Sequence, residues 1–127
     1  MGRIIILLLM HLTADFFMQG KKLNILKAFK LPYLFEHVGI YTLFFIVIGP
    51  FLLGLTFMQG LVFSLINGAF HFAIDFKTSK LKMKYMKTDE SKYIITIGVD
   101  HTLHIIILIM TYLYLYPNAM NAVAFFK

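Results

Sequence analysis

The sequence predicts an all-α integral membrane protein: a four-transmembrane-helix bundle compatible with two duplicated helical hairpins. Three observations predict it. Of 127 residues, 60% are hydrophobic and only 14% charged, with a mean hydropathy of +0.80, outside the range of soluble globular chains. Four apolar stretches have roughly the length needed to cross a hydrocarbon layer about 30 Å thick. Ten of the twelve basic residues fall in only two of the intervals between those stretches. Membrane topology explains that distribution better than a nucleic-acid groove does, so no nucleic-acid partner is expected.

Residues 1–127 read as a single transmembrane domain with spans at about 4–18, 33–49, 52–75 and 93–116. The first, Ile4 to Met18, is short and stops at Gln19-Gly20 before the basic stretch KKLNILKAFK. Arg3 followed by IIILLLM imitates a secretory signal peptide, but no small-residue cleavage motif follows, and His11 and Asp15 are wrong for such a segment. KKLNILKAFK is either a solvated loop or a segment lying flat on the membrane, with Leu23, Leu26 and Phe29 dipping in and its lysines on anionic headgroups. The second span starts at Pro32-Tyr33, proline suiting a first helical turn, and Gly49, Pro50 and Gly54 are expected to reverse the chain. The third ends at the lysine cluster of residues 77–92, and the fourth is closed by Pro117-Asn118, leaving a weakly apolar tail to Lys127.

Lys21, Lys22, Lys27 and Lys30 occupy the first loop; Lys77, Lys80, Lys82, Lys84, Lys87 and Lys92 occupy the third. Basic residues are retained on the cytoplasmic side, so both loops are expected there and both termini outside. Tyr112, Tyr114 and Tyr116 fit an aromatic belt at the opposite interface.

All five histidines, His11, His37, His71, His101 and His104, fall within or at the edges of these spans, accompanied by Asp15, Glu36, Asp75 and Asp100. An ionisable group near the bilayer centre costs about 2.5–3.5 kcal/mol, so several together need partners or a polar cavity. His11 with Asp15, His71 with Asp75, and Asp100 with His104 are i,i+4 pairs on one helix face; His101 and His104 share a face by i,i+3. With alternating helix directions, all of them converge near the cytoplasmic side. The order HxxxD followed by a carboxylate-histidine pair occurs once in each hairpin, which is the basis for a parallel duplication.

Cysteine is absent, which excludes disulfides, thiolate metal sites and a cysteine nucleophile. Five imidazoles and the carboxylates exceed the needs of one tetrahedral ion and suit one metal with outer partners, or two. The expected metal residues are His11, Asp15, His37, His71, Asp75, Asp100, His101 and His104. The ion is a divalent transition metal, zinc first, with iron or manganese as alternatives. Thr13, Gln19, Asn67, Thr96 and Thr102 are candidate outer donors. A metal-free polar network gluing the helices, and a proton or ion pathway, are the competing readings. No HExxH or GxSxG motif is present, and five histidines in HxxxD spacing do not supply the boxes of membrane di-iron enzymes.

HLTADFFMQGKK, Glu36-His37, FHFAIDFK and VDHTLH together resemble the bacterial and phage membrane proteins grouped as domain of unknown function 3307. That family's pattern is H-x-x-x-D-F-x-x-Q, then H, then H-x-x-x-D, then D-Q-x-x-H. The resemblance covers all four spans and implies functional roles for His11, Asp15, Gln19, His37, His71, Asp75, Asp100 and His104, with His101 standing where the family has glutamine. It names no reaction. A looser likeness to membrane proteins described as metal-dependent hydrolases points by analogy to hydrolysis. The leading expectation is therefore a metal-dependent hydrolase of a lipid or phosphate-containing substrate, with Asp15, Asp75 or Asp100 as general base. The alternatives are a metal-ion or proton transporter subunit and a non-enzymatic structural membrane partner. Beyond the lipid bilayer, a homo-oligomer is left open.

Overall fold

A computed structural model of the chain describes residues 2–117, which form helices joined by short turns, with no strand among them. The weakly apolar tail beyond Pro117 lies outside the described residues. Five α-helices follow in order: α1 (Gly2–Leu12), α2 (Gly20–Leu26), α3 (Leu31–Leu53), α4 (Phe57–Tyr85) and α5 (Glu90–Leu115). A π-helical turn, Thr13–Phe17, continues α1 and closes with Met18 N–H donating to the Thr13 carbonyl at 3.2 Å. Such single π turns insert one residue into the helical register.

Gly20 takes a left-handed φ of 65°, a conformation glycine adopts without steric cost, and α2 leaves the axis of the preceding segment at 83°. The chain thus bends sharply just beyond the first apolar stretch. Helices α3, α4 and α5 are each long and apolar enough to cross a membrane, and the bent pair makes a fourth such segment if it is counted as one span.

The reversal after α3 differs from the expected one. Helix α3 runs through Gly49-Pro50 to Leu53, and the turn falls at Gly54, φ 66°. Proline removes one backbone donor without ending a helix whose other bonds are secured by packing. Thr56 then caps α4, accepting from Gln59 N–H while the Gln59 side chain accepts from Thr56 N–H, a reciprocal box that satisfies two orphan amides.

Helices α3 and α4 pack very closely because glycines face the contact. A Cβ on Gly60 would lie 2.7 Å from Pro50 Cγ, and one on Gly68 would collide with the Thr42 hydroxyl. Small residues let backbones approach where lipid offers no hydrophobic drive between helices. Gly68 lies one turn before His71, so this approach also sets the separation of α3 and α4 at the site.

The bundle is inverted relative to a water-soluble protein. Buried positions include His11, Asp15, Lys27, His37, His71, Asp75, Asp100 and His104, while Phe17, Phe51, Met110 and Tyr114 are among many large apolar side chains pointing outward. An exposed apolar surface around a charged interior suits hydrocarbon, not water. An apolar core of Leu7, Met10, Ala14, Tyr41, Phe45, Leu53, Phe63, Leu108 and Tyr112 adjoins the charges, with Tyr41 at the boundary. Tyr112 therefore belongs to the core and not to an aromatic belt; Tyr114 is 86% exposed, and Tyr116 donates its hydroxyl to the Gln59 carbonyl at 2.7 Å.

Candidate metal centre

Each ionisable side chain reaches the interior by a different local route. Asp15 sits in the π turn, with its Oδ2 4.0 Å from His11 Nε2. His37 comes from the second turn of α3, and His71 and Asp75 from one face of α4. Asp100 and His104 lie on one face of α5.

Four of them meet. His37 Nε2 lies 3.0 Å from His71 Nε2, 3.2 Å from Asp15 Oδ1 and 3.2 Å from Asp75 Oδ2. His71 Nε2 is 3.5 Å from Asp15 Oδ1 and 3.6 Å from Asp75 Oδ2. Four donors on a tetrahedral ion with bonds of about 2.0–2.1 Å are separated by about 3.3–3.4 Å. The buried group Asp15, His37, His71 and Asp75 could therefore hold a metal ion, as could a second group of Asp75, Asp100 and His104. The carboxylate of Asp75 is common to both.

The surrounding contacts orient these groups unequally. Tyr41 stacks on His71 with ring centroids 4.2 Å apart, and its hydroxyl lies 3.2 Å from His11 Nδ1. The Nδ1 atoms of His37 and His71 have no hydrogen-bond partner among the described residues, so packing fixes those rings in place of the carboxylate or carbonyl that usually supports a metal-ligating histidine.

Two lysines complete the cluster, although the sequence pattern alone places both in basic loops. Lys27 turns inward below α2, donating to Asp75 Oδ2 at 2.7 Å and to Gln19 Oε1 at 3.0 Å. Lys82 donates to Asp100 Oδ2 at 2.9 Å, and Thr78 donates to Asp100 Oδ1. Lys27 is buried with Leu23, so neither a solvated loop nor a row of lysines on headgroups describes KKLNILKAFK; Lys21, Lys22 and Phe29 keep that exposed character. Spacing could have found both residues. Lys27 follows the inward Leu23 by four, and His71, Asp75, Thr78 and Lys82 follow at i, i+4, i+7 and i+11 along one helix stripe.

The remaining sequence candidates lie outside the two groups. Glu36 is exposed. His101 stacks on Phe16 at 4.8 Å and donates Nδ1–H to the Ile97 carbonyl. Among the candidate outer donors, Gln19 reaches the network through Lys27, whereas Thr13, Asn67 and Thr96 bond their own helix carbonyls.

A cavity of about 160 Å³ adjoins the cluster at its lysine-rich end, with Asp15, Gln19, Lys27, Lys82, Asp100 and His101 in its wall. Asp15 and Asp100 thus connect the buried donors to a space large enough for a small polar group.

The family model described as Protein of unknown function (DUF3307) matches residues 4–127. No curated protein and no solved structure matches the chain. The family match spans nearly the whole chain, and the chain belongs to this family.

Proposed function

Starting from this DUF3307 protein's charged interior, we propose that it is a membrane metalloenzyme, a hydrolase of a lipid or phosphate-containing substrate. Its divalent transition metal sits among Asp15, His37, His71 and Asp75. The observation that carries the reading is the convergence of two imidazole nitrogens and two carboxylate oxygens at separations of 3.0–3.6 Å, in a group that borders a cavity through Asp15. Two nitrogens and two oxygens suit zinc first, with iron or manganese as alternatives.

A divalent ion there supplies Lewis acidity and lowers the pKa of water towards neutrality. Asp15 Oδ2 faces His11 Nε2 at 4.0 Å, beyond hydrogen-bond reach. It is the carboxylate oxygen best placed to take a proton at the cavity, with His11 behind it. Lys27 and Lys82 border the same space with their ammonium groups on Asp75 and Asp100. Lys27, which also donates to Gln19, keeps one further N–H donor and Lys82 keeps two for the oxygens of an entering phosphate.

The basic end faces the cytoplasm in this reading, because lysines are retained on that side. External labelling of a Lys84→Cys variant in intact cells would overturn that orientation. The dry core on the far side of the site, built around Phe45, Phe63, Leu108 and Tyr112, favours a one-sided site over a transit path, which needs polar groups to the far interface.

The test is elemental analysis of protein purified without an affinity tag, alongside turnover on a phospholipid and nucleotide panel. At least about one metal per chain is expected, lost with turnover in His71→Ala and Asp75→Ala; less than about 0.1 per chain after growth with zinc, iron and manganese would overturn the metal. Metal-ion flux in vesicles without turnover would make the cluster a transit site instead.

A further inference from the structure

Asp15, His37, His71 and Asp75 supply four protein donors, which leaves water only a fifth position on that ion; hydrolytic centres usually keep a position free of protein donors for water or substrate. The neighbouring residues offer one. We propose that the chain holds a second divalent cation between Asp75, Asp100 and His104, bridged to the first through the Asp75 carboxylate, and that this second ion takes the oxygen of water or of a phosphate group. The proposal rests on the first group binding metal as set out above.

The two oxygens of Asp75 divide between two environments. Oδ2 lies among His37, His71 and Lys27. Oδ1 lies 3.7 Å from His104 Nε2. His104 donates Nδ1–H to the Asp100 carbonyl at 2.8 Å, which leaves Nε2 as a bare lone pair. That Nε2 has no hydrogen-bond partner among the described residues, and His104 is only 4% exposed. A buried lone pair aimed at a buried carboxylate oxygen is unfavourable unless a cation or a proton lies between them.

The spacing favours a cation. Two donors 3.7 Å apart fit an ion with bonds of about 2.1 Å and an angle of about 120°, and are too far apart for a shared proton. A carboxylate oxygen of Asp100 completes the group, all three donor atoms lying within 4.8 Å of one another. Asp100 also borders the cavity, so a three-donor ion here has its unfilled positions next to open space. Two dications against three carboxylates and two lysines leave excess positive charge, which an oxyanion neutralises. One nitrogen and two carboxylate oxygens suit manganese, iron or zinc.

The experiment uses the full-length, untagged protein in detergent, stripped with chelator and equilibrated with manganese(II). About two ions per chain are expected in the wild type and about one in His104→Ala. With two equivalents bound, the electron paramagnetic resonance spectrum of the wild type should be broadened by exchange through the shared carboxylate, without the six-line pattern of isolated ions. That spectrum decides the matter even if His104→Ala does not fold. One ion per wild-type chain overturns the second position and leaves the first standing; none overturns both. Two ions in wild type and His104→Ala alike overturn the assignment to His104, and two ions with an unbroadened six-line spectrum overturn the bridge.

Discussion

The first half of the bundle, through α3, and the second, α4 with α5, carry related polar residues on differently built backbones. In the first, the helix bearing His11 and Asp15 is interrupted by a π turn and a left-handed glycine and departs at 83°. In the second, α4 bears His71 and Asp75 and runs unbroken for 29 residues to Tyr85. The consequence is visible in the lysines. Lys82 stays on the continuous helix and ties α4 to α5 through Asp100, whereas Lys27, carried sideways by the break, reaches across to Asp75 in the other half. A broken helix here delivers a cation into the buried cluster from outside the long helices.

Removing that cation should have the largest effect. Lys27→Met leaves a buried Asp75 carboxylate without its ammonium partner in the metal-free protein, at a cost of about 3–5 kcal/mol. Lys82→Met should cost about 1.5–3 kcal/mol, the range for a hydrogen bond to a charged group, because the Lys82 side chain is 13% exposed against 2% for Lys27. Unfolding followed by circular dichroism in detergent measures both, and equal losses would remove the distinction between the halves.

The seam between the halves comes next. Gly68→Val must push Thr42 away, and overpacking of this kind costs about 1–3 kcal/mol. It should also weaken metal binding by separating His37 from His71, a loss that isothermal titration with zinc would read. Gly98, where an added methyl group would meet nothing within 4 Å, should accept alanine with metal binding unchanged.

A smaller effect tests the break itself. Gly20→Ala forces an L-residue to φ 65° at about 1–2 kcal/mol, while Gly39→Ala, inside regular helix with open space around it, should gain about 0.5–1 kcal/mol. A stabilising Gly20→Ala would mean that the bend does not depend on that glycine.

The smallest effect lies at the start of α5. The Lys92 backbone N–H, then its side chain, holds the exposed Asp89 carboxyl below its ordinary value of 3.8. A depressed carboxylate stabilises above its unfolded pKa, and that contribution disappears as the pH falls through the folded value. Amide-exchange protection in the first turn of α5, taken relative to the intrinsic rate, should therefore fall as the pH drops below 3.8, and Asp89→Ala should remove that fall.

Much of this was legible in the linear chain. Apolar stretches, caps and i,i+4 pairs are local properties, set by the period of the helix and by the cost of charge in hydrocarbon, so the all-helical class and the company kept by His71 and Asp75 followed from spacing alone. So did the set from which the donors are drawn, every one of Asp15, His37, His71, Asp75, Asp100 and His104 being in it. What the tertiary structure decided was rotation and reach. A π turn changes register by one residue and leaves no mark in composition, so nothing in HLTADFF said that Asp15 would also meet His37 and His71. Spacing can put Lys27 and Lys82 on an inward stripe, but the carboxylate each one meets, 48 residues away for Lys27 and 18 for Lys82, is a tertiary pairing. Pairings between distant segments depend on how each helix is turned about its axis, and that angle is fixed by packing at contacts such as Gly68 on Thr42, which no single segment contains.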